Sequence, residues 1–346
     1  MDTLKMNFNS ADIDWHQVHN VIDGAQRIML TTHENPDGDG LGSEVALYHH
    51  FREIGKDVRI INYSSLPDEY NFLGSADIFE TFNESEQLDW LKIVDMVIIF
   101  DVGDFDRVRG IRDIIEKYQL ETMNLDHHPH PEDHPFTHNV VNIDAAATGC
   151  MVYDYLKVAR SKPLTKSICT GIYTAVMTDT GCFRYSNTDE KCHTIAIECL
   201  EKGVSTHQIY QLVYENSSKA RVGLLGNILT TLNYELEGQL AWFIVSQDMV
   251  KNASATSNDI EGFSDFVRTI KGVEVAIMIY EQNVQSCRIN FRSKGKFTVN
   301  GIANELGGGG HAFAAGAVLE GSLSELTTKI VSVSKQMIIT QVKKQA

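Results

Sequence analysis

At 346 residues, with 43% hydrophobic and 22% charged side chains, the chain is long enough for two domains with buried cores and too ordinary in composition to be disordered. No apolar run approaches the ~18 residues of a membrane span, and the opening MDTLKMNFNS lacks the apolar core of a signal peptide, so a cytoplasmic protein is expected. The net charge of −16 should repel long polyanions; it arises before residue 233, where 35 acidic residues face 19 basic ones, while residues 233–346 carry 11 of each.

Short apolar runs alternate with helical patterns through the first half. Residues 28–32, 58–61, 96–100, 123–125 and 140–143 read as strands, with helices expected over 43–54, 108–118 and 148–159. This alternation implies an α/β fold, a mostly parallel sheet with helices on both faces, in which ligands sit at the carboxyl ends of strands. Residues 190 to about 232 read as helical throughout. The expected layout is therefore a first domain over 1–190, a helical linker over 191–232 and a smaller C-terminal α/β domain over 233–346. In the last, strands are expected near 240–245, 273–280 and 286–291, helices near 260–270 and 299–306, and a closing helix from about Ser324. The six cysteines contain no C-x-x-C pair and read as reduced, buried packing residues, not a disulfide frame or a zinc site. An acidic first part beside a neutral second suits cation binding in one and anion handling in the other; acidic surfaces also simply keep proteins soluble.

The first strand runs into TTHENPDGDGLGSE, which places His33, Asp37 and Asp39 in one Gly-rich loop at a strand's carboxyl end. One imidazole and two carboxylates that close together suit a divalent cation such as Mn²⁺. A calcium loop starting at Asn35 would need a bidentate Glu at its twelfth position, and that position is Ala46. N-P-D-G alone is turn chemistry, but a turn has no need of His33. The strand MVIIFD ends at Asp101 and the next at Asp126, His127 and His128, so three strands deliver ligand-type side chains to one edge. Asp179, in YTAVMTDTGCFRYS, closes a helical stretch and taken alone is an ordinary helix-end residue. His130, His134 and His138 read as a surface loop, and His49 and His50 as ordinary helix residues. Phe183, Tyr185 and Phe313 read as core aromatics, close enough to the motifs to stack on bases instead.

In order and spacing, HENPDGDGLGS, a strand-terminal Asp, DHH and the Asp of TDTG resemble the DHH phosphoesterase superfamily. GGGGHAFAAGA resembles the glycine-rich loop of the C-terminal domain that accompanies DHH domains, so the motifs span residues 33–317. The short two-domain layout is similar to the NrnA-type members, cytoplasmic enzymes that degrade oligoribonucleotides of a few residues and remove the 3′-phosphate from adenosine 3′,5′-bisphosphate. The resemblance implies that His33 and Asp37 hold one metal ion, that Asp39, His127 and Asp179 hold a second, and that Asp101 bridges both. It makes His128 the phosphate contact or general acid and Asp126 the residue that orients its neighbours. Two Mn²⁺ ions are expected, with Mg²⁺ or Co²⁺ as alternatives.

The C-terminal loop has its own physical logic. Gly307, Gly308, Gly309 and Gly310 would let the backbone approach a nucleotide, and a helix expected to start at His311 would offer N–H groups to a phosphate. Arg288, Arg292, Lys294 and Lys296 form a cluster with no acid between Glu281 and Glu305. Arg292 is the candidate phosphate contact, and a solvated strand face accounts equally well for most of the others. The expected partners are short RNA oligonucleotides and nucleoside bisphosphates, held in a cleft between the two domains; long nucleic acid and membrane are not expected, and a homodimer is allowed. The competing readings are a cyclic or linear dinucleotide phosphodiesterase, an inorganic pyrophosphatase, which has a C-terminal domain of another kind, and a non-catalytic nucleotide-binding module, against which the full ligand set speaks.

Overall fold

Strands that stay apolar at consecutive positions can be buried on both faces, and the first part of the chain is built that way. The computed structural model describes residues 6–9, 12–74, 77–131 and 133–345, which fall into two units, Met1–Asn216 and Ser217–Ala346. Unit 1 opens with β1 (Asn7–Asn9), α1 (Trp15–Gly24), β2 (Arg27–Thr32), α2 (Gly38–Glu53) and β3 (Asp57–Asn62). It continues through β4 (Phe79–Thr81), α3 (Glu84–Leu91), β5 (Met96–Phe100), α4 (Gly110–Tyr118), β6 (Thr122–Asp126) and β7 (His138–Val141). Four helices close it: α5 (Thr148–Ala159), α6 (Lys166–Asp179), α7 (Glu190–Glu201) and α8 (Thr206–Tyr214).

Among the described residues, the strands of unit 1 form one sheet in the order β1-β7-β6-β5-β2-β3-β4, and every neighbouring pair is parallel. Alternation along the strands divides the core. Ile28, Leu30, Ile98, Phe100 and Leu125 pack with α1, α2, α5 and α6, whereas Met29, Val97 and Ile99 pack with α3 and α4 on the other face. The α/β expectation and its parallel sheet hold, and β6, β5 and β2 lie side by side at the centre.

The differences have local causes. β1 and β4 span three residues each, too short for any periodicity to register. α2 starts at Gly38, not near residue 43, because the Asp37 carboxylate caps it by accepting the N–H groups of Asp39 and Gly40. Asp39 therefore sits in the first helical turn and not in a loop. The stretch 191–232 is shared between the units. Cys192, Ile195, Cys199 and Ile209 of α7 and α8 are buried in unit 1, and Leu224 and Ile228 of the next helix are buried in unit 2. All six cysteines are free, five of them buried. Tyr185 and Phe313 are exposed and so are not core residues, while Phe183 stacks on His193.

Unit 2 comprises α9 (Lys219–Leu229), β8 (Asn233–Glu235), β9 (Leu240–Val245), α10 (Gln247–Asn252), α11 (Phe263–Arg268), β10 (Val275–Asn283) and β11 (Ser286–Ser293). It ends with α12 (Asn300–Glu305), β12 (Gly309–His311), β13 (Ala314–Glu320) and α13 (Leu323–Gln345). Its sheet has the order β12-β13-β11-β10-β9-β8 and is mixed, with β9 and β10 parallel and the other pairs antiparallel. The helix expected from His311 does not form. His311 ends β12, and the following AAGAVLE is β13, paired along its length with β11. Alanine and glycine have weak strand propensity, so this segment becomes a strand only because β11 and β12 supply hydrogen bonds on both sides. Among the described residues, no helix is long and apolar enough to cross a membrane.

Close helix contact holds the loops of unit 1 in place. α2 and α6 meet at Gly42 and Gly171, where a Cβ on Gly42 would stand 2.3 Å from the Gly171 carbonyl oxygen and a Cβ on Gly171 2.5 Å from that of Gly42. Neither backbone can yield without moving its helix. Gly42→Ala should cost about 1–3 kcal/mol despite alanine's better helix propensity, lowering the melting temperature by about 3–10 °C. A scanning calorimetry melt unchanged from that of the parent would contradict this packing.

Candidate metal centre

The carboxyl ends of β2, β5 and β6 lie side by side, so the residues that follow them are gathered without long-range searching. His33 follows β2 and is buried. Asp37 uses one oxygen to cap α2, with Oδ1 accepting the N–H of Asp39 at 3.0 Å and of Gly40 at 3.4 Å. Its other oxygen, Oδ2, lies 3.8 Å from His33 Nε2. Asp39 is 1% exposed, and the amino end of α5 receives it: the N–H groups of Thr148 and Gly149 donate to its two oxygens at 2.7 and 2.8 Å. Backbone donors at a helix start stabilise a buried carboxylate.

Asp101 follows β5 with φ of 55°, in the left-handed region that non-glycine residues avoid. Its carboxylate stands between the histidines. Oδ2 is 3.7 Å from His33 Nε2, and Oδ1 is 3.6 Å from His127 Nε2 and 3.2 Å from His128 Nδ1. His127 Nδ1 lies 3.1 Å from the Ala145 carbonyl, to which it donates, leaving Nε2 to face Asp39, Asp101 and Asp179. Asp179, the last residue of α6, places Oδ2 3.7 Å from that nitrogen and takes an N–H from the Asn187 amide at 3.4 Å.

Two triads of ligand-type atoms result, each within 4.8 Å: His33, Asp37 and Asp101, and Asp39, His127 and Asp179. A third group, Asp101, His127 and His128, overlaps them. The gaps of 3.6–3.8 Å are too long for hydrogen bonds, and Asp101 Oδ1 and His127 Nε2 are buried without a hydrogen-bond partner. Buried polar atoms left in that state suit cations held between them. The donor set of carboxylates and imidazoles, without thiolates, fits divalent ions of the Mn²⁺ type.

Electrostatics makes the same point. Burial opposes charge on His33, but Asp101 and Asp37 outweigh it and carry its pKa to about 10. His127 is likewise raised to about 10 against burial, chiefly by Asp101 and then by Asp39 and Asp179, and His128 to about 11 by Asp101 and Asp126. Burial and the neighbouring acids push Asp39 well up; burial takes Asp179 to about 7 although His127 pulls it back. Burial would raise Asp101 too, yet the imidazoles of His127, His128 and His33 that face it hold it well below the ordinary carboxylate range. Protons on the imidazoles thus offset a concentration of acid that needs positive charge.

A supporting layer surrounds these groups. Asp126 is fully buried; its Oδ1 accepts the backbone N–H of His128 at 3.0 Å and lies 2.8 Å from His128 Nδ1. Its Oδ2 is 2.6 Å from Nε2 of His130, whose side chain is 4% exposed and so is no surface residue. His138 is also buried, in β7 beside Glu121 at 2.8 Å, which removes it from the expected surface loop as well. The spacing of His130 four residues after Asp126 is the only sequence signal for its role. His33 Nδ1 contacts the Glu34 carbonyl at 2.7 Å and Arg107 Nη2 at 2.8 Å. Asn62 accepts the N–H of Thr32 at 3.0 Å and donates to the buried Glu44 at 2.9 Å, whose pKa burial pushes to about 8. Nothing local to Arg107, Glu44 or Asn62 announces these contacts. The remaining sequence-derived candidates belong to unit 2, where Arg292, Ala314 and His311 share one cross-strand row and Gly307 to Gly310 lead into β12.

Comparison with known proteins gives a consistent picture. Residues 27–177 match the DHH family, N-terminal domain, and residues 243–339 match the DHHA1 domain. The chain is 30% identical over 297 residues to the bifunctional oligoribonuclease and PAP phosphatase NrnA of Thermus thermophilus, covering 85% of this chain and 84% of that protein. It is 27% identical over 295 residues to the protein of the same name from Bacillus subtilis, covering 84% and 88%. An exopolyphosphatase-related protein from Bacteroides fragilis has a similar crystal structure, with a TM-score of 0.84, 26% identity and coverage of 94% and 95%.

The histidine protons must leave before His33 and His127 can hold a cation, so metal affinity should rise with pH through neutrality. Calorimetric titration of Mn²⁺ near pH 7, in buffers of differing ionisation enthalpy, should show at least about one proton released per chain and an affinity gain of about tenfold per pH unit for each. Affinity independent of pH between about 6 and 8 would contradict the charge arrangement.

Proposed function

Since the chain belongs to the DHH family and is a phosphoric ester hydrolase, we propose that it hydrolyses short oligoribonucleotides to nucleoside 5′-monophosphates and dephosphorylates adenosine 3′,5′-bisphosphate, using two divalent cations, Mn²⁺ first. The observation that carries this reading is the pair of ligand triads, one containing Asp101 and the other facing it through His127, in a chain similar over most of its length to two oligoribonuclease and PAP phosphatase proteins.

His33 and Asp37 would hold one cation, Asp39, His127 and Asp179 the other, and Asp101, which faces both groups, would serve both. Cations in these positions supply Lewis acidity to a phosphoryl group and acidify water near neutral pH. The chain's own contribution begins with Asp126, which engages both the backbone N–H and Nδ1 of His128 and so turns its Nε2 away from the carboxylates. That nitrogen is the donor for a phosphate oxygen or for the leaving oxygen, as a general acid requires. Asp126 is itself steadied by His130. In unit 2, Arg292 would meet a phosphate and the segment Gly307, Gly308, Gly309, Gly310 and His311 the nucleotide.

Short substrates are favoured over long ones by charge. Each member of the basic cluster of unit 2 has a local partner: Arg288 has Glu261, Arg292 has Asp265, Lys294 the Ile270 carbonyl and Lys296 the Gln239 amide. In a chain of net charge −16, a basic cluster paired in this way is a poor track for a long phosphate backbone.

Turnover with Mn²⁺ should therefore rank di- to pentaribonucleotides and adenosine 3′,5′-bisphosphate above 24-residue RNA, cyclic dinucleotides and pyrophosphate. Preference for the long RNA, or for pyrophosphate, would reject the reading. The two neighbouring histidines should part company: His128→Ala should lower kcat by about 10²- to 10⁴-fold with metal content retained, whereas His127→Ala should lose metal. Metal analysis in which His128→Ala is the variant that loses an ion would reverse the two roles.

A further inference from the structure

One face of the unit 2 sheet is covered over only part of its width. Helices α9 and α11 bury Leu224, Ile228, Phe263 and Val267 against Ala276 and Met278 of β10. The same face continues across β11, β13 and β12, where residues paired across strands share a side. A row that begins at buried Met278 runs through Asn290 and Gly316 to Gly309. The row on one side carries Arg292 and His311, and the row on the other carries Arg288.

Both arginines are held by acids of the α11 side, Arg292 Nε 3.2 Å from Asp265 and Arg288 Nη2 2.6 Å from Glu261. The half-buried Asn290 amide between them has no hydrogen-bond partner among the described residues. Beyond it the two glycines leave bare backbone. Two of the neighbouring glycines answer to the fold, since a Cβ on Gly308 would stand 2.1 Å from the Gly316 carbonyl oxygen and one on Gly310 2.7 Å from that of Ala314. Gly309 does not, because its Cβ would meet only the Asn304 side chain at 3.7 Å, an ordinary contact. Rows on one face of a strand lie ~7 Å apart and strands ~5 Å apart, so a flat ring fits on the glycines with its edge towards the Asn290 amide.

We propose that Asn290 is the specificity-determining residue for the base of the nucleotide bound on this face, and that the base is adenine. This rests on the hydrolase reading above and adds which base is read and by which side chain. A primary amide holds a donor and an acceptor side by side and matches an edge with the complementary pair, as adenine presents at N6 and N7. The N7 and O6 edge of guanine carries two acceptors and is matched by an arginine fork. Here each nearby arginine is already drawn to an acid, Arg292 through Nε to Asp265 and Arg288 through Nη2 to Glu261. Arg292, two residues from Asn290 on the same strand face, keeps a positive charge near the phosphate that such a nucleotide brings.

The test is calorimetric binding of adenosine 5′-monophosphate and guanosine 5′-monophosphate to the full chain with Mn²⁺ present. The parent protein should bind the adenine nucleotide about tenfold tighter or more, and Asn290→Ala should bring the two within about twofold. Asn290→Asp, which replaces the donor by an acceptor, should reverse the order, because the N1–H and N2–H donors of guanine suit a carboxylate. Circular dichroism melts establish that both variants are folded. Equal affinities in the parent, no measurable binding of either nucleotide, or an unchanged ratio in folded Asn290→Ala would overturn the inference. Oligoribonucleotide hydrolysis is read separately: its absence with the base preference intact strikes only the hydrolase reading, and hydrolysis without base preference strikes only this one.

Discussion

Four carboxylates gathered where the central strands end, two of them buried, repel one another, and the architecture of unit 1 depends on how that repulsion is offset. Asp37, Asp39, Asp101 and Asp179 face three imidazoles across gaps that hydrogen bonds do not fill. The acids hold protons on His33 and His127 to about 10, and burial with mutual repulsion drives Asp39 and Asp179 upward. Asp101, within reach of all three rings, is held well below the ordinary carboxylate range. A cluster in this condition takes up positive charge, as protons or as divalent ions, and the two compete for the same nitrogen lone pairs.

The rest of unit 1 keeps these groups apart at fixed distances. The parallel sheet aligns the ends of β2, β5 and β6, and the left-handed backbone at Asp101 turns its carboxylate into the middle of the group. The start of α5 solvates Asp39 with two backbone N–H groups. Outer partners then settle orientation: the Ala145 carbonyl for His127, Asp126 with His130 for His128, and Asn62 with Glu44 for the strand that carries His33. Such partners matter because a ligand that can rotate loses much of its affinity for what it holds.

Unit 2 handles charge in the opposite way. It has as many basic as acidic residues after position 232, and the four cations clustered between Arg288 and Lys296 are each tied to a nearby acceptor, so their positive potential stays local. That pattern accords with recognition of one or two nucleotides by shape and amide chemistry, with a few phosphate contacts, and not with a long electrostatic groove.

What the sequence determines by itself is short in range. Continuous apolar runs announce β2, β5 and β6, and because ligand-type residues follow each run at once, His33, Asp37, Asp39, Asp101, Asp126, His127 and His128 were legible together. Asp179 was legible only as a helix end whose company gave it weight. Tertiary structure decided the rest. β12 and β13 are strands because of what lies beside them, since glycine and alanine carry no strand signal of their own. His130 matters because its ring meets the second oxygen of Asp126, and Arg107 because its chain segment folds back onto His33 from 74 residues away. Asp39 acquires its donors from residues 109 and 110 positions distant. Residue type and local spacing specify which groups can bind a cation or a base. Which oxygen faces which nitrogen is set by contacts between segments remote in the chain, and those contacts exist only once the apolar core has fixed the strands and helices in place.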